Sequence, residues 1–231
     1  MTDPTSVALL FDFGGTLDAD GVPWSPRFYQ AYRGAGGTLA FAAFDALFPA
    51  SDRALAETPG IRTTGFRAAI ELQARILVSL LPGKAGAVDP GDIAERLHAQ
   101  ALATVNRNRP VLQRLAGAHR LGVVSNFSGN LDPCLAELDL LQFFTVTADS
   151  TLVGATKPDA RIFRYALDAI GSSTDSTWMI GDNPEADIAG AGRLGLKTCW
   201  LAPAERDLPS GLAPTARIAR LADLERALAG A

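Results

Sequence analysis

The sequence predicts an α/β protein in which a Rossmann-like parallel sheet lies between two layers of helices and carries an inserted helical cap. Short apolar runs rich in β-branched residues alternate with helical patterns, which is typical of parallel strands buried on both faces. One interval of about a hundred residues has helical periodicity and no convincing strand, which predicts the insertion. With 231 residues, 48% of them hydrophobic, the chain is long enough to bury such a core.

The apolar runs predict five strands directly, and a weaker sixth run surrounds Ile218. The five predicted strands are 7–11, 121–124, 144–147, 177–180 and 198–201. The helical cap is predicted over 18–100, so that 1–17 and 101–231 form the core. The last apolar pattern, over 221–228, predicts a closing amphipathic helix.

Within the insertion, apolar spacing predicts two helices, one starting near Phe66 and another, marked by Ile93, Leu97 and Leu102, after the start signal Asp89-Pro90. The buried face of the first is predicted to contain Phe66, Ala69, Ile70, Gln73, Ile76, Leu77 and Leu80. An aromatic and basic cluster near the start of the insertion is interpreted as the packing face of a cap helix, with clamping of an anionic ligand as the alternative. Its members are Trp24, Arg27, Phe28, Tyr29, Tyr32 and Arg33.

Charge and composition limit the classes of partner. A net charge of -4 and a pI near 5.2 give no electrostatic reason to expect nucleic acid or an anionic membrane. The opening residues MTDPTS lack a cationic region and the apolar stretch after them is short, which predicts a cytoplasmic protein. Cys134 and Cys199 have no metal-ligand spacing and are interpreted as buried small hydrophobic residues. The oligomeric state is left open.

Polar residues follow three of the predicted strands. They are Asp12 after the first strand, Ser125-Asn126 after the second and Asp182 after the fourth. In an open parallel sheet, ligands bind beyond the carboxyl ends of the strands, so these residues are the first candidates for chemistry. By position alone, such a residue is more often a helix cap or a turn former than a catalytic group.

The motifs around these residues are more specific than their positions. DFGGT, VVSN, TKPD and GDNPEAD occur in this order at strand ends or helix starts. Together they resemble the haloacid dehalogenase-like (HAD) hydrolase superfamily, in its helical-cap branch, over nearly the whole chain. The resemblance implies Mg²⁺ as cofactor and an aspartyl intermediate, most often formed during phosphoryl transfer from a small phosphorylated substrate.

The resemblance also implies roles for individual residues. Asp12 would be the nucleophile, which has to be ionised and aimed at its electrophile. Ser125 and Asn126 would bind the phosphoryl oxygens, and Lys157 would neutralise charge on the phosphoryl group and on the attacking carboxylate.

The implied metal ligands are carboxylate and carbonyl oxygens, as Mg²⁺ prefers. Asp12 and Asp182 would supply carboxylates, and Gly14 would supply its main-chain carbonyl. Asp187 would support the metal site or pair with Lys157. Its alternative role is that of an acidic residue in the first turn of the helix after Asn183-Pro184.

Gly14 departs from the D-x-D-G-T pattern that is usual for phosphatases of this superfamily. In that pattern, the second aspartate protonates the leaving group and then activates water. General acid–base catalysis is typically worth about 10²- to 10⁴-fold, so this change leaves four hypotheses open. The first is a phosphohydrolase with another acid or with an acyl or aryl phosphate as substrate. Asp18 and Asp20 are the nearest carboxylates, although DADG is more typical of a solvated turn.

Two of the four hypotheses change the reaction, and the last removes it. A phosphonatase-type enzyme would need a cap lysine, for which Lys84 is the candidate. A haloacid dehalogenase would not need the second aspartate, but that branch requires no metal, whereas GDNPEAD keeps the carboxylates of a cation site. The fourth hypothesis is a catalytically impaired binding protein of the same fold.

Overall fold

The computed structural model describes residues 7–230, apart from the side chains of residues 84 and 86, so the opening MTDPTS lies outside the described residues. The strands are β1 Ala8–Phe11, β2 Arg120–Ser125, β3 Val146–Asp149, β4 Thr177–Gly181, β5 Lys197–Leu201 and β6 Ala216–Ile218. They form one parallel sheet in the order β3-β2-β1-β4-β5-β6. The predicted fold class is therefore confirmed.

Helices fill the interval between β1 and β2 and connect the later strands. The cap helices are α1 Trp24–Gly34, α2 Phe41–Asp45, α3 Phe48–Ala56, α4 Phe66–Leu80 and α5 Pro90–Ala118. The remaining helices are α6 Leu131–Glu137, α7 Ser150–Val153, α8 Ala160–Ile170, α9 Gly190–Gly192 and α10 Leu224–Ala229. Within residues 7–230, none of the helices has both the length and the apolar character needed to cross a bilayer.

Alternate residues of β1 pack into two different hydrophobic clusters, which gives the three-layer architecture. Leu9 and Phe11 belong to a large cluster that includes the inner faces of α5, α6 and the cap helices. Leu10 belongs to a second cluster, on the other side of the sheet, built largely on α8. Because side chains alternate along a strand, a central strand such as β1 has to be apolar on both faces.

Two predicted details of the strands and helices were wrong. β3 lies two residues later than predicted, because the backbone of residues 144–145 leads into the strand and Phe144 packs against the ring of Phe11 in the core. Leu80, the last residue of α4, is 39% exposed and does not share the buried face of that helix. Cys134 and Cys199 are buried and unpaired, as predicted.

Helix α5 runs without interruption from the cap into the core. Asp89 caps it by accepting a hydrogen bond from the N–H of Gly91 at 2.8 Å, and Pro90 occupies the first turn, where a missing N–H costs nothing. The helix packs against α4 and α1 near its start and reaches β2 at its end. The predicted boundary at residue 100 falls inside this helix, and the division into domains stays a prediction.

The loop from β1 to α1 is held by buried polar contacts. The Asp18 carboxylate is fully buried, accepts the N–H of Gly15 at 2.7 Å and forms an ion pair with Arg27 at 2.6 Å. Asp20 accepts hydrogen bonds from Arg107, Asn108 and the N–H of Leu221. The interpretation of Asp18 and Asp20 as solvated turn residues was therefore wrong, since both carboxylates accept hydrogen bonds that stabilise this loop.

We expect Arg27→Leu to lower the free energy of unfolding by about 3 to 5 kcal/mol, because it leaves the buried Asp18 carboxylate without its cation. Denaturant unfolding measures this change. Arg96→Leu is the matched control, since Arg96 forms an exposed pair with Asp92 and its loss should change stability little. Equal effects of the two substitutions would contradict a structural role for the Asp18–Arg27 pair.

Candidate active site

Three carboxylates lie close together at the C-terminal ends of the central strands. Asp12 directly follows β1, Asp182 directly follows β4, and Asp187 lies in the helical turn Pro184–Ala189. One oxygen from each lies within 4.8 Å of the others, and all three side chains are buried. The β1–β4 pairing sets this arrangement, because it aligns Phe11 with Ile180 and so brings both strand ends to the same level.

Lys157 is the cation of this cluster. Its ammonium contacts Asp12 Oδ1 at 2.6 Å, Asp187 Oδ1 at 2.7 Å and the carbonyl of Val124 at 2.7 Å. The contacts with Asp12 and Val124 are hydrogen bonds, the contact with Asp187 is an ion pair, and the lysine is only 4% exposed. Asp187 also accepts the N–H of Asn183 at 3.0 Å, so its carboxylate is paired with Lys157 and also closes the turn after β4.

Hydroxyl groups complete the contacts of the carboxylates. Ser125 donates to Asp12 Oδ1 at 3.1 Å, from the end of β2. The Thr16 hydroxyl lies between Asp12 Oδ2 at 3.4 Å and Asp182 Oδ1 at 3.3 Å.

Asn126 exchanges two hydrogen bonds with the backbone of Lys157, one through its amide N–H and one through its carbonyl. It therefore fixes the loop that carries the lysine.

The balance of charge in the cluster fits a divalent cation. Burial, followed by the nearby Asp12 and Asp187 carboxylates, raises the pKa of Asp182 well above its ordinary value. Burial also raises the pKa of Asp187 to about 6, although Lys157 lowers it. For Lys157, burial lowers the pKa, but Asp12 and Asp187 more than offset it, and the net shift is upward. Three carboxylates around one ammonium offer the hard oxygen donors that Mg²⁺ takes.

Both glycines of DFGGT are required by close packing, for different reasons. Gly15 has φ +97°, and a Cβ there would lie 2.7 Å from the Asp182 carboxylate. A Cβ at Gly14 would overlap the indole nitrogen of Trp24, which reaches the site from the start of α1. The indole therefore stands in the space that a side chain at residue 14 would need.

Two neighbouring cavities open above Asp12. The first, of about 340 Å³, is lined by Asp12, Gly14, Lys157 and Asp182 on the core side. The second, of about 400 Å³, lies beside the first, between the cap and the core. Its lining is mostly apolar and includes the aromatic ring of Phe66. Both cavities are lined by Trp24, Phe48, Asp52, Asn126 and Phe127.

The structure brings every predicted site residue to this edge of the sheet: Asp12, Gly14, Ser125, Asn126, Lys157, Asp182 and Asp187 all line the cavity of about 340 Å³. The side chain of Lys84 lies outside the described residues. Most of the aromatic and basic cluster packs inside the cap, with Phe28 and Tyr32 fully buried, whereas Trp24 reaches the site.

Three residues with structural or site roles were missed by sequence reasoning. Thr16 belongs to DFGGT and could have been found there. Asp149 ends β3 and accepts the N–H groups of Gly129, Leu131 and Thr151, so correct placement of that strand would have identified it. Asp52 lies in a cap helix, where no motif marks it.

A family model for a haloacid dehalogenase-like hydrolase matches residues 7–195. The chain therefore belongs to the haloacid dehalogenase-like hydrolase family. Among relatives of known name, it is 35% identical over 147 residues to the pyrimidine 5′-nucleotidase YjjG of Escherichia coli, covering 61% of this chain and 65% of that protein. It is 32% identical over 115 residues to a phosphoserine phosphatase of Thermus thermophilus, covering 48% and 46% of the two chains. The chain thus spans less than two thirds of the length of these relatives.

Solved structures agree on the fold. The putative HAD-hydrolase YfnB of Bacillus subtilis, crystallised with magnesium, superposes with a TM-score of 0.60 at 20% identity, covering 96% of this chain and 98% of that one. A 2-haloacid dehalogenase of Pseudomonas syringae superposes with a TM-score of 0.56 at 23% identity, covering 97% and 99%. At these identities the likeness establishes the architecture and leaves the reaction to be argued from the site.

We expect Asp182→Asn to raise the melting temperature in the absence of divalent metal, because it removes one of three crowded carboxylates. Each kcal/mol relieved corresponds to about 2 to 4 °C in a protein of this size. Since the pKa of Asp182 is raised in the folded state, its ionisation costs stability as pH rises above about 4, so the gain should be larger at pH 8 than at pH 5.

The same melts with added Mg²⁺ test the cation site. Mg²⁺ should stabilise the wild type and should stabilise Asp182→Asn much less. Equal stabilisation of both proteins by Mg²⁺ would exclude Asp182 as a ligand.

We expect Gly14→Ala to be destabilising, because the new methyl group overlaps the Trp24 indole. In the double variant, Trp24→Ala removes the indole and makes room for the methyl group of Gly14→Ala. The effects of the two substitutions on the free energy of unfolding should therefore not add. A double-mutant cycle on unfolding measures this coupling, expected at about 0.5 to 3 kcal/mol. Additive changes would mean that the two residues do not compete for the same space.

Proposed function

We propose that this protein is a Mg²⁺-dependent phosphohydrolase that cleaves a small phosphorylated metabolite through an aspartyl-phosphate on Asp12. The observation that carries the proposal is the convergence of Lys157 and Ser125 on Asp12 Oδ1, inside a buried acidic cluster at the base of a cavity. Two donors on one oxygen orient the carboxylate, as a nucleophile requires. The named relatives with phosphatase and nucleotidase activity support the same reaction class.

Each side chain has a defined task in this proposal. Asp12 Oδ2 attacks phosphorus, while Lys157 holds the opposite oxygen and balances the charge that gathers between carboxylate and phosphoryl group. When substrate binds, the Ser125 hydroxyl would turn from Asp12 to a phosphoryl oxygen, and Asn126 would donate the amide N–H that is not bonded to Lys157. Asp187 acts mainly through Lys157, whose ammonium it fixes at 2.7 Å.

Asp12, Asp182 and the carbonyl of Gly14 would hold Mg²⁺, with Asp187 supporting the site. When bound, Mg²⁺ would neutralise charge on the phosphoryl oxygens and orient them for in-line attack. The excess of carboxylates over cations in the cluster is the observation that supports this ligand set.

We also infer that the substrate is a small molecule in the cytoplasm and that neither nucleic acid nor membrane is a partner. The net charge of -4 and the cavity of about 340 Å³ above Asp12 support this inference.

We expect Mg²⁺-dependent release of phosphate from acetyl phosphate, p-nitrophenyl phosphate or both, and complete loss of this activity in Asp12→Asn. A panel that adds a pyrimidine nucleoside monophosphate and phosphoserine tests the substrates named by the relatives. The control is Asp159→Asn, which alters an exposed helix-capping carboxylate two residues after Lys157. Activity that persists in Asp12→Asn would remove the nucleophile from the proposal.

A second candidate is the hydrolytic dehalogenation of a 2-haloacid, favoured by the position of Trp24. A halide leaves without a proton, so this reaction does not need the acid for which the Trp24 indole leaves no room at residue 14. Halide release from 2-haloacids in the presence of a chelator would select this reaction. Failure of every phosphate, phosphonate and haloacid, in a protein that binds Mg²⁺, would select the catalytically impaired binding protein instead.

A further inference from the structure

Asp52 is a cap carboxyl group that faces the site. It lies on α3 and lines, together with Gly14, the cavity above Asp12, and it also lines the apolar cavity beside it. Asp52 is therefore one of the residues that the two cavities share at their junction. A substrate whose phosphoryl group lies at Asp12 and whose organic part enters the apolar cavity would place its bridging oxygen at this junction.

The surroundings of Asp52 orient it without neutralising it. Gln73 on α4, which is almost fully buried, donates its amide N–H to Asp52 Oδ1. In the part of the chain that the structure describes, Asp52 forms no salt bridge. Asp52 is exposed as a residue, but the protein around its carboxyl group desolvates it and raises its pKa to about 6, while Gln73 and Arg53 lower that pKa.

A carboxyl group that titrates near neutral pH can both give and take a proton, as general acid–base catalysis requires. Asp18 and Asp20 cannot do this here, because their oxygens are engaged by Arg27, Arg107 and Asn108. The other charged groups that face the two cavities are Arg53, Asp12, Lys157, Asp182 and Asp187.

We propose that Asp52 is the general acid and base of this enzyme, supplied by the cap in place of the side chain that residue 14 lacks. The proposal rests on the phosphohydrolase function proposed above. It also identifies the substrate class as phosphate monoesters of alcohols, which need a proton on the leaving oxygen.

Bonds and protons balance over two steps. Asp12 Oδ2 bonds to phosphorus as the bond from phosphorus to the ester oxygen breaks, and that oxygen takes the proton of Asp52 to leave as an alcohol. Asp52, now a carboxylate, removes a proton from water as the water oxygen bonds to phosphorus. The bond from phosphorus to Asp12 then breaks, which restores the Asp12 carboxylate and the Asp52 acid and releases inorganic phosphate.

Asp52→Asn tests the acid role on two substrates with aromatic rings and different leaving groups. For benzyl phosphate, whose alkoxide needs a proton, kcat/KM should fall about 10²- to 10⁴-fold. For p-nitrophenyl phosphate, whose leaving group is stable as an anion, kcat/KM should fall by less than about tenfold, because kcat/KM reports the steps up to loss of the leaving group. The retained p-nitrophenyl phosphate activity also shows that the variant is folded.

Glu57→Gln is the matched control, because Glu57 ends the same helix, is exposed and lines neither cavity. Its kcat/KM should equal that of the wild type for both substrates. A similar fall in Asp52→Asn for both substrates, or no fall for benzyl phosphate, overturns the acid role.

The pH dependence separates proton donation from a merely structural role. The acid is protonated below about pH 6, so the ratio of wild-type to Asp52→Asn kcat/KM for benzyl phosphate should fall as pH rises through that value. The second ionisation of the substrate phosphate, also near pH 6, affects both enzymes equally and cancels in the ratio. In Gln73→Leu, loss of the hydrogen bond that lowers the pKa should move the fall to higher pH. A ratio independent of pH overturns the proposal.

Different results would overturn the role of Asp52 and the phosphohydrolase function. Mg²⁺-dependent cleavage of acetyl phosphate by a wild type that cannot cleave benzyl phosphate or any other alkyl ester would overturn the role of Asp52 and leave the phosphohydrolase function standing. Absence of activity on every phosphate would overturn both.

Discussion

The buried ammonium of Lys157 connects three separate parts of the fold at one point. It contacts the carboxylate of Asp12 after β1, the carboxylate of Asp187 in the turn after β4 and the backbone carbonyl of Val124 near the end of β2. Removing one partner of such a cluster leaves an uncompensated charge in a region of low dielectric, which costs several kcal/mol. The same three contacts therefore stabilise the strand ends that the sheet aligns and orient Asp12, so stability and chemistry are coupled at this lysine.

Close packing around the cluster explains why side chains are missing at neighbouring positions. Gly15 leaves room for Asp182, and Gly181 leaves room for the carboxylate of Asp187. Gly14 differs, because the group that takes its space, Trp24, comes from the cap. The first two glycines serve the core alone, whereas Gly14 forms part of the contact between cap and core. An aspartate at residue 14 and an indole in this position exclude each other.

The sheet and the strand-end residues could be predicted from the sequence because both depend on local patterns. Apolar runs reveal buried strands, and parallel pairing brings their ends together, so Asp12 and Asp182 were found without knowledge of the packing. The contact of Trp24 with Gly14 and the position of Asp52 could not be found in this way. Both depend on how the cap helices pack over the sheet, and helical periodicity shows which face is buried without showing what covers it. Asp149 was missed because the start of β3 was placed two residues too early.

The continuity of α5 has a mechanical consequence for the cap. Pro110 lies inside this helix and cannot donate a backbone N–H, so the hydrogen-bonded ladder has a weak point close to the sheet. The helix start at Pro90 is 20 residues away, or roughly 30 Å at 1.5 Å per residue. A bend of roughly 5° at Pro110 would swing that distant end by roughly 2 to 3 Å over this length. The longest helix of the described chain thus joins the cap to the core, so a change in its bend at Pro110 would shift the cap end relative to the sheet.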